Sequence, residues 1–238
     1  PGAVYAHLDE DLSGSIVAGE TGRHPLPDVD VFSRKLGSWG IGSETQVVVY
    51  DDRGGMIAAR LWWMLNWLGH KNVALLDGGF PAWVAADHPV NNEIPTPESK
   101  KFIRNIQAEM LFTADDVLSH FGDPGYILID SRAPERYRGQ EEPIDPVAGR
   151  IPGAINYPFV RNIDSKGHIQ LKQVLRGRFQ LIFGDIPAEN VTFYCGSGVT
   201  AALNVLAVSH AGLGMPRIYA GSWSEWITEP DRPITSGG

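Results

Sequence analysis

A run of β-formers is followed closely by a run of apolar helix-formers in the last quarter of the chain. Val191 to Tyr194 is typical of a buried strand, and Ala201 to His210 is typical of a helix. The six residues 195–200 therefore form the turn between the two elements. This pattern predicts a strand, a tight turn and a helix in immediate succession.

The first half of the chain carries the same succession of patterns. Three segments recur in the same order: PGAV at 1–4 as PGAI at 152–155, VVVYD at 47–51 as VTFYC at 191–195, and GGFPAW at 78–83 as GSWSEW at 221–226. Ordered matches of this kind indicate an internal duplication. Each unit then reads strand, turn, helix, strand and Gly-rich turn. We predict an α/β fold with open, mainly parallel sheets flanked by helices, and ligand sites beyond the carboxyl ends of strands.

The two units differ at their amino-terminal ends. The second begins with a helix start at Thr113, where Asp116 can bond back to the cap, and with a strand over 126–130. The first has no counterpart of residues 113–151, so we expect the chain to begin inside its first domain. A polar stretch with three prolines over 87–101 predicts an extended linker. We predict a first, incomplete domain over residues 1–100, linker included, and a second domain over 101–238.

Composition narrows the classes of function. The 238 residues are 43% hydrophobic, which is enough for real cores, and the net charge is −8. Such a charge argues against nucleic acid or an anionic membrane as a partner. The apolar stretches are too short to span a membrane. The single cysteine excludes an internal disulfide and a cysteine-rich metal site, and a free thiol favours a reducing compartment, so we expect a cytoplasmic protein.

That one cysteine, Cys195, lies on the predicted turn. Gly196 and Gly198 allow the backbone to place several N–H groups on one concave side, and the following helix adds the positive end of its dipole. Such a cradle stabilises a thiolate. The alternative is a small buried hydrophobic residue, which the Gly-Ser-Gly sequence disfavours. The turn lacks both a P-loop lysine and an arginine at position 201, so sulfur chemistry is favoured over phosphate chemistry.

Two motifs carry a resemblance to a known family. CGSGVTA at 195–201 and YAGSWSEW at 219–226 are similar to the active half of the tandem rhodanese-domain sulfurtransferases. Within them the turn resembles the 3-mercaptopyruvate type, because the thiosulfate type usually has Arg-Lys after the cysteine. The resemblance implies two rhodanese-like domains and no metal or organic cofactor. It also implies a Cys195 persulfide, bound by Gly196, Gly198, Val199 and Thr200.

The implied reaction moves a sulfane sulfur from a small-molecule donor to an acceptor. Cyanide, a thiol or thioredoxin would be the acceptor, in a ping-pong cycle. Thiosulfate as the main donor is the close alternative. A non-catalytic rhodanese-like binding module is the alternative from another class, and the intact cysteine turn disfavours it.

Arginine is the side chain best suited to bind a donor carboxylate. Arg136 matches the position of the family's substrate-binding arginine, and its alternative is a surface ion pair with one of the neighbouring acids, Glu135, Glu141 or Glu142. Nearby, Asp130 and Arg132 match the family's Asp-x-Arg, which we interpret as a structural ion pair.

The family's second arginine falls near Asp145, and Arg150 replaces a histidine before Ile-Pro-Gly-Ala. The resemblance leaves Arg138 or Arg150 as candidates for the second positive charge.

The resemblance also implies a relay from the first unit. Asp9 and His24 match an aspartate and a histidine that act with the serine at position 197 in mercaptopyruvate enzymes. His24 would polarise Ser197, and Asp9 would fix its tautomer. The alternative for His24, in its Pro-rich segment, is simple exposure.

In the first unit the nucleophile's position is held by Asp51 or Asp52, neither of which can form a persulfide. The alternative role for this pair is a helix N-cap. We expect the first unit to cover the second unit's site. Three tryptophans over 62–67 predict core or interdomain packing.

Overall fold

The computed structural model describes residues 1–237, whose strands form two separate parallel sheets. The strands are β1 (Val47–Val49), β2 (Val73–Leu75), β3 (Leu111–Phe112), β4 (Ile127–Asp130), β5 (Ile155–Asn156), β6 (Val191–Tyr194) and β7 (Arg217–Tyr219). The α-helices are α1 (Val29–Ser38), α2 (Ala58–Trp67), α3 (Gly79–Ala85), α4 (Ala114–Ser119), α5 (Pro134–Tyr137), α6 (Lys172–Phe183), α7 (Ala201–His210) and α8 (Ser222–Trp226). Short 3-10 turns precede β3 and β6 and follow β5. The predicted α/β class with parallel sheets and flanking helices is confirmed.

The second sheet has the strand order β3-β7-β6-β4-β5, with every neighbouring pair parallel. Strand β6 lies at its centre and is buried along its whole length. Helix α7 follows directly and is apolar on nearly all sides, as expected of a helix inside a core. Both elements have the bounds that the sequence pattern predicted. Cys195 therefore emerges from the centre of the sheet, at the carboxyl ends of its strands.

The first sheet contains only β1 and β2, paired in parallel from Val47 opposite Val73. These strands correspond to β6 and β7, and residues 1–86 contain no strands equivalent to β3 and β4. Positions that are buried in the second unit are consequently open in the first. Tyr50 is 42% exposed, whereas its counterpart Tyr194 is fully buried.

The duplicated turns share their backbone geometry. Gly79 and Ser222 occupy equivalent positions and have left-handed φ angles of +56° and +55°. In each unit the next N–H donates to the carbonyl of the residue at the cysteine position, at 2.9 Å to Asp51 and 3.1 Å to Cys195. The duplication seen in the sequence is therefore a duplication of local structure.

The two units share one interface, formed mainly by α2 and α7. Trp62, Trp63 and Trp67 are all buried in a hydrophobic cluster that contains residues of both units, which confirms their predicted packing role. Because α2 lies against the helix that follows Cys195, side chains of the first unit reach the cysteine turn.

The segment between the units has no helix or strand over residues 88–107. It is not wholly free of contacts, because the Lys100 N–H donates to the Gly37 carbonyl and Phe102 is buried. Beyond it, Thr113 and Asp116 form the predicted capping box at the start of α4. Within the described residues, no helix is long and apolar enough to cross a membrane.

Candidate active site

Cys195 is the free cysteine of the second unit's turn and is 2% exposed. Its N–H donates to the Ser222 hydroxyl at 3.1 Å, and its carbonyl accepts from the Trp223 N–H. The Ser222 hydroxyl in turn donates to the Tyr219 carbonyl at 2.9 Å. The Gly-rich turn before α8 thus fixes the backbone from which the sulfur projects.

The surroundings of the Cys195 sulfur favour a thiolate. Burial raises the pKa of the thiol, but hydrogen bonds from the Thr200 hydroxyl and from the N–H groups of Ser197, Ala201 and Gly198 outweigh it, so the net pKa is lowered. Thr200 directly precedes α7, and its hydroxyl makes no capping hydrogen bond to the helix. The hydroxyl is therefore free to donate to the sulfur. The predicted cradle is therefore formed.

The two glycines of the turn serve different purposes. Gly198 has a φ of +75°, and a Cβ there would lie 2.1 Å from the Ala220 carbonyl. Gly196 is not in the left-handed region, so its φ angle does not require glycine. Its lack of a side chain leaves space for two guanidinium groups instead, because a Cβ would lie 2.9 Å from Arg23 Nη2 and 3.4 Å from Arg136 Nη1.

Val199 contributes differently from the other turn residues. Its side chain is buried and its carbonyl accepts the Ala202 N–H at 3.3 Å, which helps to begin α7. The observed contacts of Val199 thus support the helix start.

The three relay residues predicted from two distant segments lie together. His24 Nδ1 is 2.7 Å from Ser197 Oγ, and His24 Nε2 is 3.2 Å from Asp9 Oδ1. Burial lowers the pKa of His24, the nearby Arg60 and Arg23 lower it further, and Asp9 opposes them. A neutral imidazole that donates from Nε2 to Asp9 can accept the Ser197 proton at Nδ1. Asp9 is largely exposed, so its contribution is orientation more than charge.

Arg136 lies at the mouth of the site and is also ion-paired. Its guanidinium contacts Glu142 at 2.6 Å and Asp145 at 3.1 Å, while its side chain is only 17% exposed. The pairing with Glu142 that the sequence left open thus coexists with a position beside Gly196. Asp145, in the place of the family's second arginine, is buried between Arg136 and Arg23.

The two residues that the sequence suggested for the second positive charge both have other partners. Arg138 contacts Glu135 and Gln140, and Arg150 donates to the carbonyls of Tyr137 and Gly237. Arg23 of the first unit lies beside Gly196, because the interface brings that residue there.

The Asp130–Arg132 ion pair is buried at 2.7 Å and fixes the loop, as predicted.

The sequence reasoning missed two arginines, and each left a signal. Arg23 directly precedes the relay histidine. Arg60 is the one charged residue in the mainly apolar α2. It is 1% exposed and donates to the Gly198 carbonyl at 3.2 Å. A lone charge in an apolar helix is expensive to bury, and so marks a position with a specific partner.

In the first unit, Asp51 occupies the equivalent of the cysteine position. Its carboxylate accepts the N–H groups of Arg53, Gly55, Ile57 and Ala58 at 2.8–2.9 Å. The turn is therefore filled by its own side chain, in keeping with the predicted cap at the helix start. Asp52 is exposed and does not share this role.

Comparison with known proteins agrees with this geometry. The family model for the rhodanese-like domain matches residues 1–86 and again 113–229. The chain is 47% identical to a probable 3-mercaptopyruvate sulfurtransferase of Pseudomonas aeruginosa, over the whole chain and 84% of that protein. It is 36% identical to the thiosulfate sulfurtransferase of Bos taurus, over 89% of the chain and 73% of the relative.

Solved structures show the same fold. The 3-mercaptopyruvate sulfurtransferase of Leishmania major superposes with a TM-score of 0.76 at 31% identity, over 92% of this chain. A structure of EanB superposes with a TM-score of 0.80 at 22% identity, over 90% of this chain, and shows the fold alone. The chain spans 61% and 55% of those two proteins. The chain belongs to the rhodanese-like family with two copies of the domain, and its curated relatives are sulfurtransferases, as the resemblance predicted.

Proposed function

We propose that this sulfurtransferase moves sulfur through a persulfide on Cys195, with 3-mercaptopyruvate as its principal donor. The observation that carries the proposal is the pairing of a stabilised thiolate with a serine two residues later that is itself hydrogen-bonded to His24. A thiolate alone suits any sulfur donor. The adjacent proton relay suits a donor whose leaving group must take up a proton.

Sulfur transfer from mercaptopyruvate would begin at the Cys195 thiolate. The Cys195 thiolate attacks the thiol sulfur of mercaptopyruvate, an S–S bond forms, and the C–S bond breaks with its electron pair moving into the enolate of pyruvate. Ser197 and His24 accept the proton of the donor thiol and return it to the enolate carbon. An acceptor thiol or cyanide then takes the outer sulfur and restores the thiolate.

Arg136 and Arg23 are the groups that would bind the donor carboxylate. Both guanidinium groups converge on the space above Gly196, one from each unit. Arginine binds a carboxylate through two parallel N–H donors, so two arginines can orient the donor with its sulfur over Cys195. The remaining turn residues, Gly198, Val199 and Thr200, hold the sulfur end through the loop geometry.

Thiosulfate is the second candidate donor, and the two arginines favour it. Glu142 and Asp145 oppose it, because these carboxylates already offset the charge of Arg136 and Arg23. A dianion would meet an essentially neutral mouth, whereas a monoanion requires less positive charge. We therefore propose thiosulfate as the poorer donor.

The expected setting follows from the free thiol. We propose that the protein works in the cytoplasm, where thiols stay reduced, and that thioredoxin is among its sulfur acceptors. The first domain, over residues 1–100, would cover and support the site, and the second, over 101–238, would carry the chemistry.

The test is intact-protein mass spectrometry after incubation with each donor. The wild type should gain one sulfur atom, and Cys195→Ser should gain none while keeping its circular dichroism spectrum, because serine fits the turn but is not ionised near neutral pH. Steady-state kinetics with both donors then rank them by kcat/KM. A protein that gains no sulfur from either donor would be a binding module. A Cys195→Ser variant with a tenth of the activity would remove Cys195 from its role.

A further inference from the structure

Arg60 is a buried cation at the junction of the two units. Its Nε and Nη2 donate to the Leu12 carbonyl at 3.1 and 2.9 Å, and Nη2 also donates to the carbonyls of His24 and Pro25 at 2.9 and 3.3 Å. Its Nη1 donates to the Gly198 carbonyl at 3.2 Å. One guanidinium therefore joins the relay segment of the first unit to the cysteine turn of the second.

This cation has no carboxylate partner within residues 1–237. The other arginines near the site do have one, since Arg23 contacts Asp145 and Arg136 contacts Glu142. A buried charge without a counter-charge is strongly unfavourable, and carbonyl dipoles offset only part of the cost. A position that keeps such a charge needs an anion nearby.

The charged and titratable groups around Arg60 identify that anion. His24, Arg23 and Arg136 border the turn from the relay segment and the site mouth, and each is neutral or cationic. Asp9 lies on the far side of His24 and is largely exposed. Glu142 and Asp145 are already paired with Arg136 and Arg23. The sulfur of Cys195, whose negative charge acts on Arg60, is the remaining group that becomes an anion near the buried guanidinium.

We propose that Arg60 is a positioning residue whose charge, supplied by the first unit, holds Cys195 as a thiolate and keeps His24 neutral. It touches neither donor nor sulfur, and acts through the Gly198 and His24 carbonyls that it binds and through its field. The same cation would stabilise the persulfide anion, a step that rests on the proposed function. The first unit thereby does more than cover the site.

The titration behaviour of Arg60 and His24 agrees with this role. Burial lowers the pKa of Arg60 to about 10, and the negative charge of Cys195 opposes that change. Arg60 still remains protonated near neutral pH. For His24, burial is the largest cause of the lowered pKa and Arg60 is the next.

The test measures the thiol without any sulfur donor, so it is independent of the proposed reaction. Alkylation of Cys195 by iodoacetamide is followed against pH, which gives a midpoint and a high-pH plateau rate. The matched variants are Arg60→Gln, which keeps a donor and loses the charge, and Arg60→Lys, which keeps the charge. Arg34→Gln removes the same charge from an exposed position of the first unit.

We expect Arg60→Gln to raise the midpoint by about one pH unit or more, with an unchanged plateau rate. Arg60→Lys and Arg34→Gln should keep the wild-type midpoint to within about a third of that shift. The imidazole of His24, followed by NMR, should titrate at higher pH in Arg60→Gln alone. A wild-type midpoint in Arg60→Gln would overturn the proposal. A plateau that rises in both Arg60 variants would also overturn it, because a loosened turn would then explain the change.

A measurement on the wild type covers the case in which the neutral variants do not fold. The side-chain nitrogen resonances of Arg60 should shift with the same midpoint as Cys195 alkylation, and that shift should vanish in Cys195→Ser. Arg60 resonances that do not change as Cys195 titrates would overturn the proposal. If Arg60 behaves as expected but no donor places sulfur on Cys195, the proposed function fails and this inference stands.

Discussion

At the scale of single residues, the properties of Cys195 come from a competition between burial and hydrogen bonding. Burial disfavours a thiolate, and the hydrogen bonds from Thr200 and the turn N–H groups favour it by more. The thiolate of Cys195 therefore forms at a lower pH than the thiolate of an ordinary cysteine. This balance has a direct consequence for the pH dependence of sulfur uptake.

Single-turnover formation of the persulfide should lose rate only as the pH falls through the lowered pKa of Cys195. The midpoint of that loss should lie below about pH 8.5, where an unperturbed thiol is half ionised. Rapid mixing with donor over a series of pH values, followed by acid quench and mass spectrometry, measures it. A rate that keeps rising in proportion to hydroxide up to pH 9 would contradict a stabilised thiolate.

Ser197→Ala should separate the two donors. The variant loses the hydroxyl bonded to His24, so kcat with mercaptopyruvate should fall by about a hundredfold or more, in the range of a lost proton-transfer group. Thiosulfate leaves as sulfite and needs no such proton, so its kcat should change by less than about tenfold. Kinetics with both donors on the same preparation provide the internal control. Equal losses with both donors would mean that Ser197 only shapes the turn.

At the scale of elements, the two equivalent turns show how one backbone can be stabilised in two ways. In the second unit the N–H groups before α7 face a sulfur, and in the first those before α2 face the carboxylate of Asp51. Unsatisfied N–H groups at a helix start require a partner. The first unit provides its own, which leaves no position for a sulfur anion.

Asp51→Ala should therefore destabilise the protein. Four N–H groups lose their charged acceptor, and we expect a loss of about 2 kcal/mol in the free energy of unfolding. Urea unfolding measures it. Asp52→Ala is the matched control, since its side chain is 74% exposed, and it should change the stability by less than about 0.5 kcal/mol. Equal stabilities of the two variants would show that water replaces the carboxylate.

At the scale of the whole molecule, the charges at the mouth of the site come from both units. Arg23 reaches Gly196 from the first unit, and Asp145 lies between it and Arg136. The acid in this position reduces the net positive charge beside Gly196. If the donor binds there, as proposed, donor preference depends on the interface as well as on the cysteine turn.

Asp145→Asn should shift donor preference toward thiosulfate. Removal of the negative charge favours the binding of any anionic donor, but it favours the thiosulfate dianion more. We therefore expect kcat/KM for thiosulfate relative to mercaptopyruvate to rise about tenfold, equivalent to ~1.4 kcal/mol. Asp115→Asn makes the same change at an exposed position of α4 and should leave the ratio unaltered. An unchanged ratio in Asp145→Asn would mean that the paired arginines do not contact the donor.

The amino-acid sequence by itself determined the local structure and the duplication. The bounds of β6 and α7, the capping box at Thr113 and the position of Cys195 on a turn all follow from patterns within a few residues. The pairing of His24 with Ser197 joins residues 173 positions apart, and only the family resemblance pointed to it. The sequence also showed that Arg60 is unusual in α2, but it did not show that Arg60 binds the Gly198 carbonyl.

Only the tertiary structure decided which charges lie at the cysteine turn. Arg138 and Arg150 were nearer candidates along the chain, yet Arg23 and Arg60 lie at the site because α2 packs against α7. The periodicity of apolar residues indicates which face of a helix or strand is buried. It does not indicate which distant side chain packs against that face. The contacts of an arginine depend on the docking of whole elements, and so they are properties of the assembled fold.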